Sequence, residues 1–238
     1  MWKIDMKRFT LVCSLAVLSL TAHAQVGDYR SEFAVGISGG INLTGVDFNP
    51  SLKEGKLMGK NAGIILRYTC EKYIKAICAI QVEVNYSQQG WKEVEDESSD
   101  YFSKTMNYVQ VPFLARLAWG RERKGAQGYI VLGPQIGFLL SESQEYSGSW
   151  MEKSRTHTYQ YSHNADRAFD YGITLGAGAE ISTPKLGHFQ IEARYFYGLH
   201  DFYDNSAKGY FGRSGHNAIT IKVGYLIDLF KSKNPNIR

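Results

Sequence analysis

Cysteine is scarce: three in 238 residues, with no C-x-x-C or Cys/His spacing, which leaves no zinc or dithiol motif. Proline is scarce too, at five, and no Pro/Ser-rich stretch divides the chain, so no linker marks a second domain. Nothing repeats with a period of 20–50 residues, which argues against a solenoid or propeller. Long apolar runs are missing after the amino terminus, where one extends from Phe9 to Leu20. A spanning helix needs about 18–20 apolar residues, so no helical membrane anchor is written here. Excess charge of one sign is also lacking. Without Lys3, Asp5, Lys7 and Arg8, the chain keeps 24 bases against 22 acids, too even a balance for a nucleic-acid partner.

What the amino terminus does have is a basic start, a short apolar core and Ala22-His23-Ala24. That order describes a secretory signal peptide, residues 1–24, cleaved before Gln25. Cys13 lies inside the apolar run, away from the cleavage site, so a lipoprotein reading has little support. The rest reads as one domain, 25–230, followed by a short basic tail, 231–238, on the periplasmic side.

Aromatics are plentiful, with 16 Tyr, 12 Phe and 4 Trp. From Phe169 to Ile181 the odd residues are apolar and the even ones small or polar. Such period-two alternation gives a strand one greasy and one wet face. About 9–11 tilted residues of strand cross a bilayer, so this segment is long enough to span. Similar alternation predicts seven more strands, near Glu32–Leu43, Lys60–Cys70, Ile77–Gln89, Thr105–Trp119, Gln127–Leu140, His188–His200 and His216–Phe230. The mean hydropathy of −0.29 looks soluble, but a barrel hides its hydrophobicity in every second residue. Short and long connections alternate, as periplasmic turns and external loops do in outer-membrane barrels. Pro112 and Pro134 fall inside predicted strands, where each forfeits a ladder bond, and are expected to mark bulges. The fold class that follows is all-β: an eight-stranded antiparallel up-and-down transmembrane β-barrel with short periplasmic turns and long extracellular loops, integral to the bacterial outer membrane.

The competing fold is a soluble lipocalin-like barrel, with apolar residues inside. Its interior is too narrow for the apolar set this chain carries. In the membrane barrel the opposite face is internal, where Arg67, Glu83, Arg116, Glu180, Glu192, Arg194 and Lys222 form a charge-paired network filling the lumen. Eight strands leave an interior just wide enough for side chains, so little or no conductance is expected.

Several segments resemble the PorT-type outer-membrane β-barrel family. They are Tyr108-Val109-Gln110-Val111-Pro112-Phe113-Leu114, Gly133-Pro134, Asp170-Tyr171-Gly172 with Gly176-Ala177-Gly178, Glu192-Ala193-Arg194-Tyr195 with Tyr197-Gly198-Leu199, and Val223-Gly224-Tyr225-Leu226. The resemblance covers essentially the whole mature chain and implies the barrel fold. It also implies an accessory role in protein export for some members, but these residues build barrels and do not single out a function. The 231–238 tail departs from the family's aromatic carboxy terminus and leaves Phe230 as the terminal aromatic of the last strand.

Chemistry is sparser. Cys70 and Cys78 lie symmetrically about a predicted turn, where cross-strand neighbours come within disulfide reach. His157, His163, His200 and His216 fall near the external rim, and Asp170, His200, Asp201 and Ser214 can be combined on paper into a Ser/His/acid set, as in a lipid A-modifying enzyme. No local motif supports either a metal site or catalysis. Glu93, Glu95, Asp96, Glu97 and Asp100 give the second external loop an acidic cluster, usually a solvated tip. Tyr146, Trp150, Tyr159 and Tyr161 in the third loop are a candidate contact surface, since Tyr and Trp are common anchors. The expectation is a monomeric, non-enzymatic barrel without a cofactor. Its partners would be outer-membrane lipid and envelope or secretion-machinery proteins, with a small-solute porin as the alternative.

Overall fold

A computed structural model of the chain describes residues 28–52, 54–73, 75–94, 100–148, 150, 158–204 and 210–233. The segment read as a signal peptide, together with Glu95, Asp96, Glu97 and His157, lies outside them. The strands are β1 (Asp28–Asn49), β2 (Glu54–Gly55), β3 (Leu57–Tyr73), β4 (Ala76–Val94), β5 (Tyr101–Gly120), β6 (Gly125–Tyr146), β7 (Phe169–Thr183), β8 (Gly187–Asp201) and β9 (Arg213–Phe230). One helical turn, α1 (Tyr159–Ser162), precedes β7. Consecutive long strands pair antiparallel, and β1 pairs with β9, so eight strands close a ring; β2 is a short addition on β4.

Each side chain's direction follows from the strand period. In β7, Phe169, Tyr171, Ile173, Leu175 and Ile181 are exposed, while Asp170, Thr174 and Glu180 are buried. The same inversion holds around the ring: Ile37, on the outside, is 67% exposed, whereas Glu83, inside, is 0% exposed. A protein in water would bury the first set and hydrate the second. Hydrocarbon around the barrel reverses both preferences, because outward charges are costly there and inward ones can pair. The lipocalin alternative has its apolar face on the wrong side.

Three connections at one end are short: 74–75, 121–124 and 184–186. The last closes on Gly187, whose φ of 87° and whose Cβ position, 2.3 Å from Leu226 O, admit only glycine. Those at the other end are longer, which orients the barrel with its short turns in the periplasm. The eight ring strands run 15 to 22 residues, well beyond the roughly 9–11 needed to span. At the periplasmic end the apolar belt reaches almost to the turns, so the excess rises above the external membrane surface.

The two strand prolines do not mark bulges. β5 and β6 keep one register past both, from Pro112↔Gln135 to Ala115↔Leu132, and β6 keeps register with β7 through Pro134↔Ile173. A missing N–H removes a bond without requiring an extra residue. The register shift between β5 and β6 falls higher, between Asn107 and Tyr108.

Candidate functional site

The lumen is filled from end to end in layers. Near the periplasm, Arg30 and Lys72 meet Glu122 at 2.5 and 2.7 Å. Further in, Glu180 is the hub of one cluster: it accepts from Arg67, from Arg116 at 3.0 Å, from Gln127 at 2.6 Å and from Ser182 at 3.3 Å. His188 reaches Glu180 through Nδ1 at 3.0 Å and Asp228 through Nε2 at 2.8 Å, tying β7, β8 and β9 together. A second hub lies farther along. Glu83 accepts two bonds from Arg194, at 2.6 and 2.9 Å, and one each from Lys222, Gln81 and Asn85. Glu192 grips Arg194 from its other side and lies 4.0 Å from Lys222. All seven charged residues expected in the lumen are therefore buried in two carboxylate-centred clusters. Arg30, Glu122, His188 and Asp228 join them, on signals too local for the alternation to reveal: a strand start, a turn and a strand end.

Little empty space remains between the layers. Cavities of about 20 and 30 Å³ flank the clusters, the first lined by Asn61, Asn85, Gln110 and Gln135 among others, the second by Arg30, Arg67 and Arg116. Each holds a water or two, not a pathway.

Above the membrane the inward face turns aromatic. Val46, Phe48, Trp91, Phe102, Met106, Trp150, Tyr161, Phe202, Tyr203 and Phe211 form one buried cluster. Trp91 is 0% exposed, with its ring 5.1 Å from Phe48 and 6.0 Å from Phe202. Its Nε1 donates to Glu93, which also accepts from Tyr161 at 2.7 Å. Glu93 is therefore the polar keystone of an aromatic cap rather than part of a solvated acidic tip. Lys104, buried beneath, donates to His163 O at 2.5 Å and pairs with Glu142 at 3.0 Å.

The loop aromatics expected as a contact surface divide accordingly. Trp150 and Tyr161 face inward onto Phe102, at 6.4 and 4.7 Å between ring centres, and are buried. Tyr159 is half-buried, stacked between His163 and Tyr210. Tyr146 is 57% exposed at the end of β6. The paper Ser/His/acid set is not assembled. Ser214 Oγ accepts from Tyr203 N, Asp201 accepts from Ser214 N, and His200 lies against Tyr171. His216 is buried against Tyr108 and Phe202. Cys70 and Cys78 are free thiols. The hairpin register shifts between Thr69 and Glu71, so Glu71, not Cys70, stands opposite Cys78.

One sheet edge of the external extension is open. β6 stays paired with β5 up to Tyr146, but its pairing with β7 ends at Phe138↔Phe169. Leu139 N bonds to Ala168 O, and Glu142 accepts from Ala165 N. Among the described residues, the β7-side backbone from Leu140 to Tyr146 has no partner strand.

On the same extension, Glu54 of β2 accepts from Val46 N at 3.0 Å. Burial, helped by Asp47 and Glu93, pushes its carboxyl up from 4.5 to about 7. An acid whose folded value is raised favours the folded cap when protonated, so stability falls as pH rises from about 4.5 to about 7. Hydrogen exchange at Val46, corrected for intrinsic rate, should be faster at pH 8 than at pH 5. Glu54→Gln should flatten the difference, and a pH-independent wild type would contradict it.

A family model described as outer membrane protein beta-barrel domain matches residues 23–204. The chain belongs to this family. Membership places the barrel in the bacterial outer membrane. Among solved structures it is similar to Ail of Yersinia pestis, crystallised with the heparin analogue sucrose octasulfate (15% identity, 84% of this chain and 99% of that one, TM-score 0.38). It is also similar to OprG of Pseudomonas aeruginosa (11%, 84% and 98%, 0.41) and to Neisserial surface protein A (13%, 81% and 96%, 0.38). No curated protein matches the barrel.

Proposed function

We propose that this outer-membrane barrel is a closed, non-catalytic monomer that works through its external extension, as a scaffold or surface-interaction protein. The observation that carries the reading is closure at three levels: the Glu180 cluster, the Glu83 cluster and the aromatic cap. A lumen so filled has no use as a pore, whereas the extension rises rigidly into the outside medium and presents Tyr146 beside an open strand edge. Such edges pair readily with an extended segment of another chain.

Planar-bilayer recording of the purified barrel tests this against the porin alternative. The expected result is no stable unitary conductance; reproducible single-channel steps would establish the porin. The accessory role in protein export rests on the PorT-type segments alone. Cross-linking in native outer membranes, followed by affinity purification, tests it: stoichiometric recovery of secretion-machinery proteins supports that role, and recovery of the barrel alone removes it.

A further inference from the structure

On the lipid-facing wall a groove of about 640 Å³ runs across β7, β8, β9 and β1. The strand registers explain its shape. Gly39, Val223, Ile191 and Ala179 form one outward row, each opposite the next, with residues of little or no side chain at both ends. Two residues toward the periplasm the next row rises again, and at its centre Phe189 and Tyr225 stand 4.9 Å apart. The groove is therefore a dent in the periplasmic half of the apolar belt, lowered at Gly39 and Ala179 and walled by an aromatic pair. Tyr225 is fixed there by donating to Leu186 O at 2.6 Å. That carbonyl belongs to the 184–186 turn, where Lys185 is exposed and makes no ion pair among the described residues.

We infer that this groove binds one anionic phospholipid of the periplasmic leaflet, its acyl chain in the dent and its phosphate at Lys185. The apolar lining at membrane depth calls for an acyl chain, and the exposed Lys185 in the adjoining turn calls for a negative headgroup. A basic side chain at a membrane surface strengthens attraction to anionic lipid by roughly fivefold. The site is independent of whatever the external extension contacts.

Native mass spectrometry of the detergent-purified, full barrel during titration with phosphatidylglycerol or phosphatidylcholine tests the proposal. One phosphatidylglycerol is expected to bind in preference to phosphatidylcholine. Lys185→Gln should reduce that preference roughly fivefold while leaving chain binding intact. Gly39→Leu should abolish the single high-affinity site by filling the dent. It does so without disturbing the strand, because a Cβ at Gly39 meets only Asn61 O, 3.9 Å away; circular dichroism confirms that the variant is folded. Equal binding of the two lipids, retention of the site in folded Gly39→Leu, or displacement by lipid A at equal concentration would each overturn it.

Discussion

Replacing Glu180 by alanine should destabilise the barrel by about 3–5 kcal/mol, the cost of breaking a buried ion pair from one side. Among the described residues, the carboxylate is the sole ion-pair partner of both Arg67 and Arg116. Its loss leaves two guanidiniums inside a barrel surrounded by hydrocarbon, where water reaches them poorly. Glu83→Ala should cost less although Glu83 receives more hydrogen bonds. Glu192 already grips Arg194 and lies 4.0 Å from Lys222, so neither cation is abandoned. The order of the two variants tests the architecture of the network more sharply than either size does. Urea unfolding in micelles, followed by tryptophan fluorescence, reads both. Replacing Arg67, Arg116 and Glu180 together by apolar residues of similar volume should recover most of the loss, since a whole buried cluster exchanged for packing is often neutral. A Glu180→Ala barrel within about 1 kcal/mol of the parent would mean that these charges are hydrated, as exposed pairs are.

The belt and the lumen were legible in the sequence for one reason. Between the membrane surfaces every strand obeys a single rule, apolar out and polar in, and period two exposes it. The predicted strand near Glu32–Leu43 lies within β1, and that near Phe169–Ile181 within β7. Once the seven inward charges share an interior, pairing follows from the need to satisfy buried ions. Above the external surface the rule changes sign. Past Leu43, Asp47 and Asn49 point outward while Val46 and Phe48 point inward. Strand geometry continues, but the hydrophobic face swaps sides because the surroundings are now water. Polar outward residues there resemble a loop in the sequence, and inward aromatics such as Trp150 and Tyr161 resemble a surface. In β6 the swap coincides with the register shift at Leu140, an exposed extra residue between Leu139 and Ser141. No pattern of fixed period survives an inserted residue. Symmetry about the turn would set Cys70 opposite Cys78, but a one-residue shift beside the turn sets Glu71 there instead.

That change of sign sets the second large effect. Trp91→Ala should weaken the external cap by about 3–5 kcal/mol, the usual loss for a buried tryptophan. It removes a ring packed against Phe48, Phe102 and Phe202, and strips Glu93 of one of its donors. The loss should be local, because the belt strands below are joined by their own ladders and by the two charged clusters. Hydrogen exchange and limited proteolysis should therefore show faster opening across the ends of β4 and β5 and the α1 region, with the belt as protected as before. Conductance separates a cap from a gate. If the cap alone closed the barrel, its opening would let ions through. The Glu83 cluster lies beneath it, with Arg194, Lys222, Gln81 and Asn85 all bonded to one carboxylate, so Trp91→Ala should remain silent in a planar bilayer. Channel activity in this variant, absent from the parent, would make the cap a gate over a permeable lumen. Silence together with local opening would assign the aromatic cluster to holding the external extension rigid for whatever docks on it.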